Sequence, residues 1–153
     1  MANVSIELLK KLRNETQASI ADCRKALEES GGDYKKAMAF LKKHGLEKAG
    51  KKADRETSQG LIESYVHQNG RVGAMVEILC ETDFVARTSE FKHLAHELAM
   101  QTAAMNPKDV DELLKQEYIR DSSKTVESLI KETIAKLGEN INIKKITRLE
   151  IGE

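Results

Sequence analysis

Proline is nearly missing from this chain, with one in 153 residues. There is no tryptophan, and aromatic residues make up only 4%. So few helix breakers and rings point to helix-rich structure. Cysteine is scarce as well. Cys23 and Cys80 stand far apart with no CxxC pair, which excludes a disulfide framework and fits a reducing compartment. No apolar run approaches membrane-spanning length, and Met1-Ala2-Asn3 opens the chain without the basic, apolar, small-residue pattern of a signal peptide. The expectation is a soluble cytoplasmic protein with no membrane partner. Phosphate-binding loops and nucleophile motifs are missing too: the chain has no GxGxxG, no GxSxG and no GxxxxGK followed by Ser or Thr. No cofactor and no enzyme activity are expected. Net charge is zero, but unevenly spread: residues 1–60 hold 13 Lys/Arg against 9 Asp/Glu, and residues 61–153 hold 12 against 16. Neither part is a polyelectrolyte, so direct nucleic-acid binding is not expected. The positive end favours an acidic protein surface.

What the chain has is 40% hydrophobic and 33% charged residues, enough for one ordinary domain or two small ones. Residues 4–44 read as three short helices. The first carries Ile6, Leu8, Leu9 and Leu12. The second begins near Ser19, with Asp22 in a capping-box-like place and a stripe of Ile20, Cys23, Ala26 and Leu27. Gly31-Gly32 stops it. Asp33 caps the third, with Ala37, Met38, Phe40 and Leu41 on one face, and Gly45 closes it. None of these helices is long enough to stand alone in water, so they must share a core.

A polar stretch follows, and 47–60 reads as a partly helical linker. Two strand-like runs, Leu61 to His67 and Val72 to Cys80, flank Asn69-Gly70, a hairpin signal because both residues tolerate positive φ. Val72, Ala74, Val76, Ile78 and Cys80 alternate on one face, with Met75 and Leu79 on the other. A long helix from about Thr88 carries Phe91, Leu94, Ala95, Leu98, Ala99 and Thr102 and ends at Asn106-Pro107. Asp109 starts a brief helix with Glu112 at the capping-box position. Another runs from about Ser123 to Leu137, stopped by Gly138. Ile141 to Ile151 should add a third strand, with a bulge near Lys144-Lys145 where the alternation slips. The expected fold is α+β: a three-helix unit at 1–46, the linker at 47–60, and at 61–153 a small three-stranded antiparallel sheet with helices on one side.

Thr82-Asp83-Phe84-Val85 sits between strand and long helix, where a polar turn is normal. A ring beside a carboxylate suits a wedge pushed into a partner. By spacing alone, Phe84 is expected to fold inward and Asp83 to start the helix, because most loop aromatics tuck in. His93 and His96 make an i, i+3 pair without an evident third ligand, so no metal site is expected. His44 and His67 have no nucleophile near them in sequence, and Cys23 and Cys80 read as small core residues. Lys48, Lys51, Lys52 and Arg55 read as a solvated helix face, or as a docking edge for an acidic surface. Arg13, Arg24 and Lys25, with Thr16, Ala18 and Ile20, could form an apolar spot rimmed with positive charge, suited to protein recognition.

Three segments carry a family resemblance. Leu12-Arg13 with Thr16, followed by Asp22-Cys23-Arg24-Lys25-Ala26-Leu27, resembles the amino-terminal signature of elongation factor Ts. Cys80-Glu81-Thr82-Asp83-Phe84-Val85-Ala86 resembles that family's central motif, and Gly138-Glu139-Asn140-Ile141-Asn142-Ile143 its third. Their order and rough spacing agree across nearly the whole chain. The resemblance implies a guanine nucleotide exchange factor for the GTPase elongation factor Tu. It makes the first unit a ubiquitin-associated-like domain whose Arg13, Ile20, Ala21 and Arg24 meet the GTPase. It makes Thr82, Asp83, Phe84 and Val85 the segment that disturbs the partner's magnesium site, so that GDP leaves, and it turns the reading of Phe84 from tucked to exposed. The chain departs from the pattern: Gln17 stands where a glycine is usual, Ser19-Ile20-Ala21 replaces Gly-Met-Met, and Arg24 replaces a common lysine. It resembles the short family form, abbreviated from Asp109 to Lys124, whose members pair into two-fold dimers. The other reading is a non-catalytic ubiquitin-associated-like adaptor that binds a different protein.

Overall fold

A computed structural model describes residues 4–153. Met1-Ala2-Asn3, read above for its lack of a signal pattern, lies outside the described residues. Helices α1 (Ile6–Thr16), α2 (Ile20–Glu29) and α3 (Tyr34–Lys51) form the amino-terminal unit. Their starts are set by side chains. Ser19 accepts a hydrogen bond from the Asp22 amide at 3.1 Å, and Asp33 accepts one from the Lys36 amide at 3.0 Å, each satisfying a donor that a helix start leaves unpaired. Leu12, Cys23, Ala26, Leu27, Ala37 and Leu41 make a small core. A leucine as fully buried as Leu12 or Leu27 contributes roughly 2–3 kcal/mol, so this unit rests on few side chains. Ile20 departs from its expected place on the buried stripe. It lies at the first position of α2 and is 52% exposed.

Helix α3 does not close at Gly45. It continues to Lys51, because packing against a later helix, α7 (Val126–Leu137), outweighs the cost of a glycine inside a helix. Ala49 is buried with Val76, Ile78 and Ile134 in a second, separate core. The stretch 47–60 is therefore partly helical and tied down rather than free. Beyond the helix, the side-chain amide of Asn140 donates to the carbonyls of Ala53 and Arg55, at 3.2 and 2.8 Å.

Strands β1 (Gln59–Val66), β2 (Val72–Cys80) and β5 (Ile141–Glu150) form one antiparallel sheet in the order β1-β2-β5. In the hairpin, Gly70 donates to the His67 carbonyl at 2.7 Å, and of the Asn69-Gly70 pair only Gly70 takes a positive φ. Opposite Glu77 and Ile78 the β5 partners are Lys145 and Ile143. Lys144 is thus the extra residue of a bulge, where the slipped alternation puts it. One face of β2 (Ala74, Val76, Ile78, Cys80) is buried and Met75 is exposed on the other.

Helix α5 (Ser89–Met105) covers the buried face, and every member of its expected stripe, from Phe91 to Thr102, is buried. Between strand and helix lies the one-turn α4 (Asp83–Ala86). After α6 (Val110–Lys115) comes a small hairpin, β3 (Glu117–Tyr118) with β4 (Asp121–Thr125). The expected helix start at Ser123 is replaced by this hairpin, and Thr125 caps α7 instead, accepting from the Ser128 amide. The hairpin is held from outside. Buried Gln101 donates to the Glu117 carbonyl at 3.0 Å and accepts from the Ile119 amide at 3.0 Å. The architecture is α+β, as the patterning implies.

Candidate functional site

The end of β2 positions the central motif. Cys80 is buried and pairs with Ile141 across the sheet. The chain then turns, and Thr82 caps α4 in an extended conformation, accepting a long bond from the Val85 amide at 3.4 Å. Thr88 caps the next helix, accepting from the Phe91 amide, and also donates its hydroxyl to the Val85 carbonyl at 2.7 Å. Ala86 is buried, and Val85 packs against the core. With these two residues facing in, the remaining pair faces out. Phe84 is 79% exposed, and Asp83 is half-exposed beside Arg87, whose guanidinium donates to it at 3.0 Å. Such a surface ion pair adds little stability. It leaves an aromatic ring and a carboxylate on neighbouring positions of a firmly seated turn. Burying a ring of this kind releases roughly 1.5–3 kcal/mol, and among the described residues Phe84 stays 79% exposed and does not collect it.

Residues that sequence patterning left without roles hold the turn from the other side. The carboxylate of Glu139, just past the α7 stop at Gly138, accepts both the amide and the hydroxyl of Thr82, at 2.9 and 2.7 Å. In return Glu81 accepts the Asn140 amide at 2.8 Å, and Arg55 lies 3.6 Å from the Glu81 carboxylate. The signal available for these residues was the third motif itself, which places two polar residues, one of them buried Asn140, between a helix stop and a strand.

The amino-terminal set lies on the other unit. Arg13, Ile20, Ala21 and Arg24 are all exposed. Between α1 and α2 the Thr16 hydroxyl donates to the Leu12 carbonyl and accepts from the Ala18 amide. Gln17 takes the left-handed conformation, with φ 56°, the backbone region that glycine occupies most cheaply. Arg24 pairs with Glu28 at 2.9 Å along its own helix. Asp22 is turned towards α3, and the hydrogen bond from Lys48 at 2.8 Å, helped by Ser19, holds its carboxyl below the usual range. Helices α1 and α2 pack on α3, whereas α4 packs on β1, β2 and α5. The two sets belong to separate parts of the molecule, joined through the α3–α7 contact.

Neither cysteine is poised for attack. Burial pushes both thiols up, away from the reactive thiolate. His96 lies 4.0 Å from Glu63 and meets the Tyr65 ring edge-on. Among the described residues no three His, Cys, Asp or Glu side chains gather as a set able to hold a metal ion, and no helix is long and apolar enough to cross a membrane. A cleft of about 680 Å³ lies between the α1–α2 turn, α3 and α7, and its lining includes none of Thr82–Val85 and none of Arg13, Ile20, Ala21 or Arg24.

Known proteins give this geometry a context. A family model described as elongation factor TS matches residues 81–153, the stretch that holds the turn and its support. The chain is 45% identical to a protein named elongation factor Ts from Thermotoga neapolitana, with 98% of each chain covered. It is 43% identical to one from Coprothermobacter proteolyticus, covering 98% of this chain and 99% of the relative. It is 42% identical to one from Thermosynechococcus vestitus, covering 100% of this chain and 67% of that one. The first alignment runs over 193 positions, more than the 153 residues of this chain, so it opens gaps here.

Proposed function

The chain belongs to the elongation factor Ts family, a family of translation elongation factors, and from that membership we propose that it acts in the cytoplasm as a guanine nucleotide exchange factor for elongation factor Tu. The observation that carries the reading is Phe84, 79% exposed on a turn anchored by Ala86 and Val85 beneath it. The Phe84 ring and the Asp83 carboxylate enter near the partner's magnesium and nucleotide site, with Thr82 and Val85 as their mount. Arg13, Ile20, Ala21 and Arg24 supply a second contact on the GTPase.

No bond-making residue is required. An exchange factor binds the nucleotide-free partner more tightly than the loaded one, and by linkage nucleotide weakens the factor equally. A coupling of about 5.5 kcal/mol shifts such an equilibrium by about four orders of magnitude. A ring that gains its pocket only after the metal site is disturbed contributes differential contact of this kind, because its burial is realised in one state and not in the other. The open sheet face, with Ile62, Val66, Met75 and Leu149 exposed, supports pairing of two copies within the complex.

The test is release of labelled GDP from elongation factor Tu with and without this chain. Acceleration at catalytic amounts is the expected result. No acceleration by the native chain, or capture of a different main partner with no elongation factor Tu, removes the reading in favour of an adaptor.

A further inference from the structure

We propose that Glu139 is a positioning residue for exchange: its carboxylate, bound to both donors of Thr82, holds the turn that presents Phe84. The inference deepens the exchange reading and rests on it. Thr82 has two donors, and one side chain takes both, its amide at 2.9 Å and its hydroxyl at 2.7 Å. Because the hydroxyl proton goes to Glu139, a lone pair of the same oxygen faces the Val85 amide. The carboxylate therefore sets the rotamer that caps α4. A four-residue helix does not hold itself, and the Val85 bond at 3.4 Å is long. The bonds that fix the start of the turn thus come mainly from a residue 57 positions away.

Glu139 is itself fixed. Gly138, at φ 78°, ends α7 in the left-handed conformation, and the next residue, Asn140, is buried. The Asn140 amide is held by Glu81 and its side chain by the Ala53 and Arg55 carbonyls. The two segments each catch a backbone amide of the other with a glutamate. The start of the turn is referenced in this way to the sheet edge, the end of α7 and the connection after α3. A partner that pushes on Phe84 pushes against all three. Without Glu139 a smaller fraction of molecules presents the ring in a competent pose, and exchange at saturation falls with that fraction.

The experiment compares native chain, Glu139→Ala and Glu139→Gln in four measurements: GDP release at saturating factor, affinity for nucleotide-free elongation factor Tu, amide hydrogen exchange at Thr82 and Val85, and Tm. A carboxamide accepts from one donor of Thr82 and turns an NH2 towards the other. Losing a charge-assisted bond of this type changes an equilibrium by about tenfold or more. Release at saturation should therefore fall about tenfold for Glu139→Ala, with Glu139→Gln between it and native. Affinity should change far less, the two amides should exchange faster, and Glu127→Gln, at the far end of α7, should release GDP at the native rate. In a cycle with Thr82→Val, the double variant should lose less than the sum of the singles. Native release rates in both Glu139 variants overturn the inference. So does a loss that comes with an equal fall in Tm and with unchanged amide protection. If the native chain itself fails to accelerate release, the exchange reading falls. Amide exchange then decides alone: unchanged protection at Thr82 and Val85 rejects the holding role, and lost protection keeps it.

Discussion

Gly45 and Ala135 meet where α3 packs on α7, and a side-chain carbon built on Gly45 stands 3.1 Å from the Ala135 Cβ. That approach seats the three-helix unit on the sheet unit, and the glycine there serves closeness rather than chain flexibility. Gly45→Ala gains about 1 kcal/mol of helix propensity and loses a comparable amount to crowding, so it should be near neutral. Gly45→Leu has no room and should destabilise by roughly 1–3 kcal/mol. Calorimetry checks the first effect, and faster proteolysis in the 52–58 connection checks the loosened seat. A Leu variant that melts and resists cleavage like the native chain would show the contact to be slack.

Local devices of the fold were legible because their causes are local. The Ser19, Asp33 and Asp109 caps act over three residues, and the bulge at Lys144 follows from a slipped alternation within one strand. Gln17 also makes sense after the fact, since φ 56° is the reason a glycine suits that position. What the pattern missed depends on distant partners. The β3–β4 hairpin has strands of two and five residues and is held by Gln101 and Glu97 from α5, which no spacing rule reaches. Ile20 fits the helical period of the buried stripe, but period says nothing about where the cover ends. The Thr82–Glu139 pair joins two motifs, and only the fold brings them together.

Phe84→Ala separates exchange from folding. The ring is 79% exposed, so its removal should change stability by no more than about 0.5 kcal/mol. GDP release from elongation factor Tu should slow by more than about tenfold, the equivalent of about 1.4 kcal/mol of the ring's differential burial, while complex formation weakens less. Stopped-flow release and a titration against the nucleotide-free GTPase give the two numbers. Equal losses in both would make the ring a plain anchor, and native exchange by the variant would end the wedge account.

The outer face of the sheet makes a separate prediction. Met75 pairs across the ladder with Ser64 and Thr147, and Gly73 pairs with Val66 and Leu149. This builds an apolar strip in which Met75, Val66 and Leu149 are exposed. Two such strips face to face cover one another. Sedimentation of the chain with the GTPase should give a paired complex, and Met75→Lys with Leu149→Lys should return it to one copy each without a fall in Tm. A one-to-one complex from the native chain at all concentrations removes the pairing.

Glu97 ties the small hairpin to α5 and gives the fold an acid limit. Its side chain is 3% exposed, accepts from the Tyr118 hydroxyl at 2.5 Å and lies 2.6 Å from the Arg120 guanidinium. Burial raises the carboxyl pKa, but the bonds from Tyr118 and Arg120, with His93 nearby, outweigh it and hold the group below its ordinary 4.5. The unfolded chain then binds the proton more readily than the folded one. The contribution is complete above the ordinary carboxylate range and disappears as pH falls through the depressed folded value. Tyr118 and Arg120 donate to the same oxygen of Glu97, so Glu97→Gln keeps an acceptor for both but removes the charge that strengthens the two bonds, and should cost roughly 1–3 kcal/mol at pH 7. The gap between native and variant should narrow below about pH 4.5, as the carboxyl of the unfolded chain takes up its proton, and level off once the folded carboxyl is protonated as well. Urea titrations of both proteins across that interval decide it. Curves that stay parallel down the acid limb would mean the carboxylate charge plays no part in holding the hairpin.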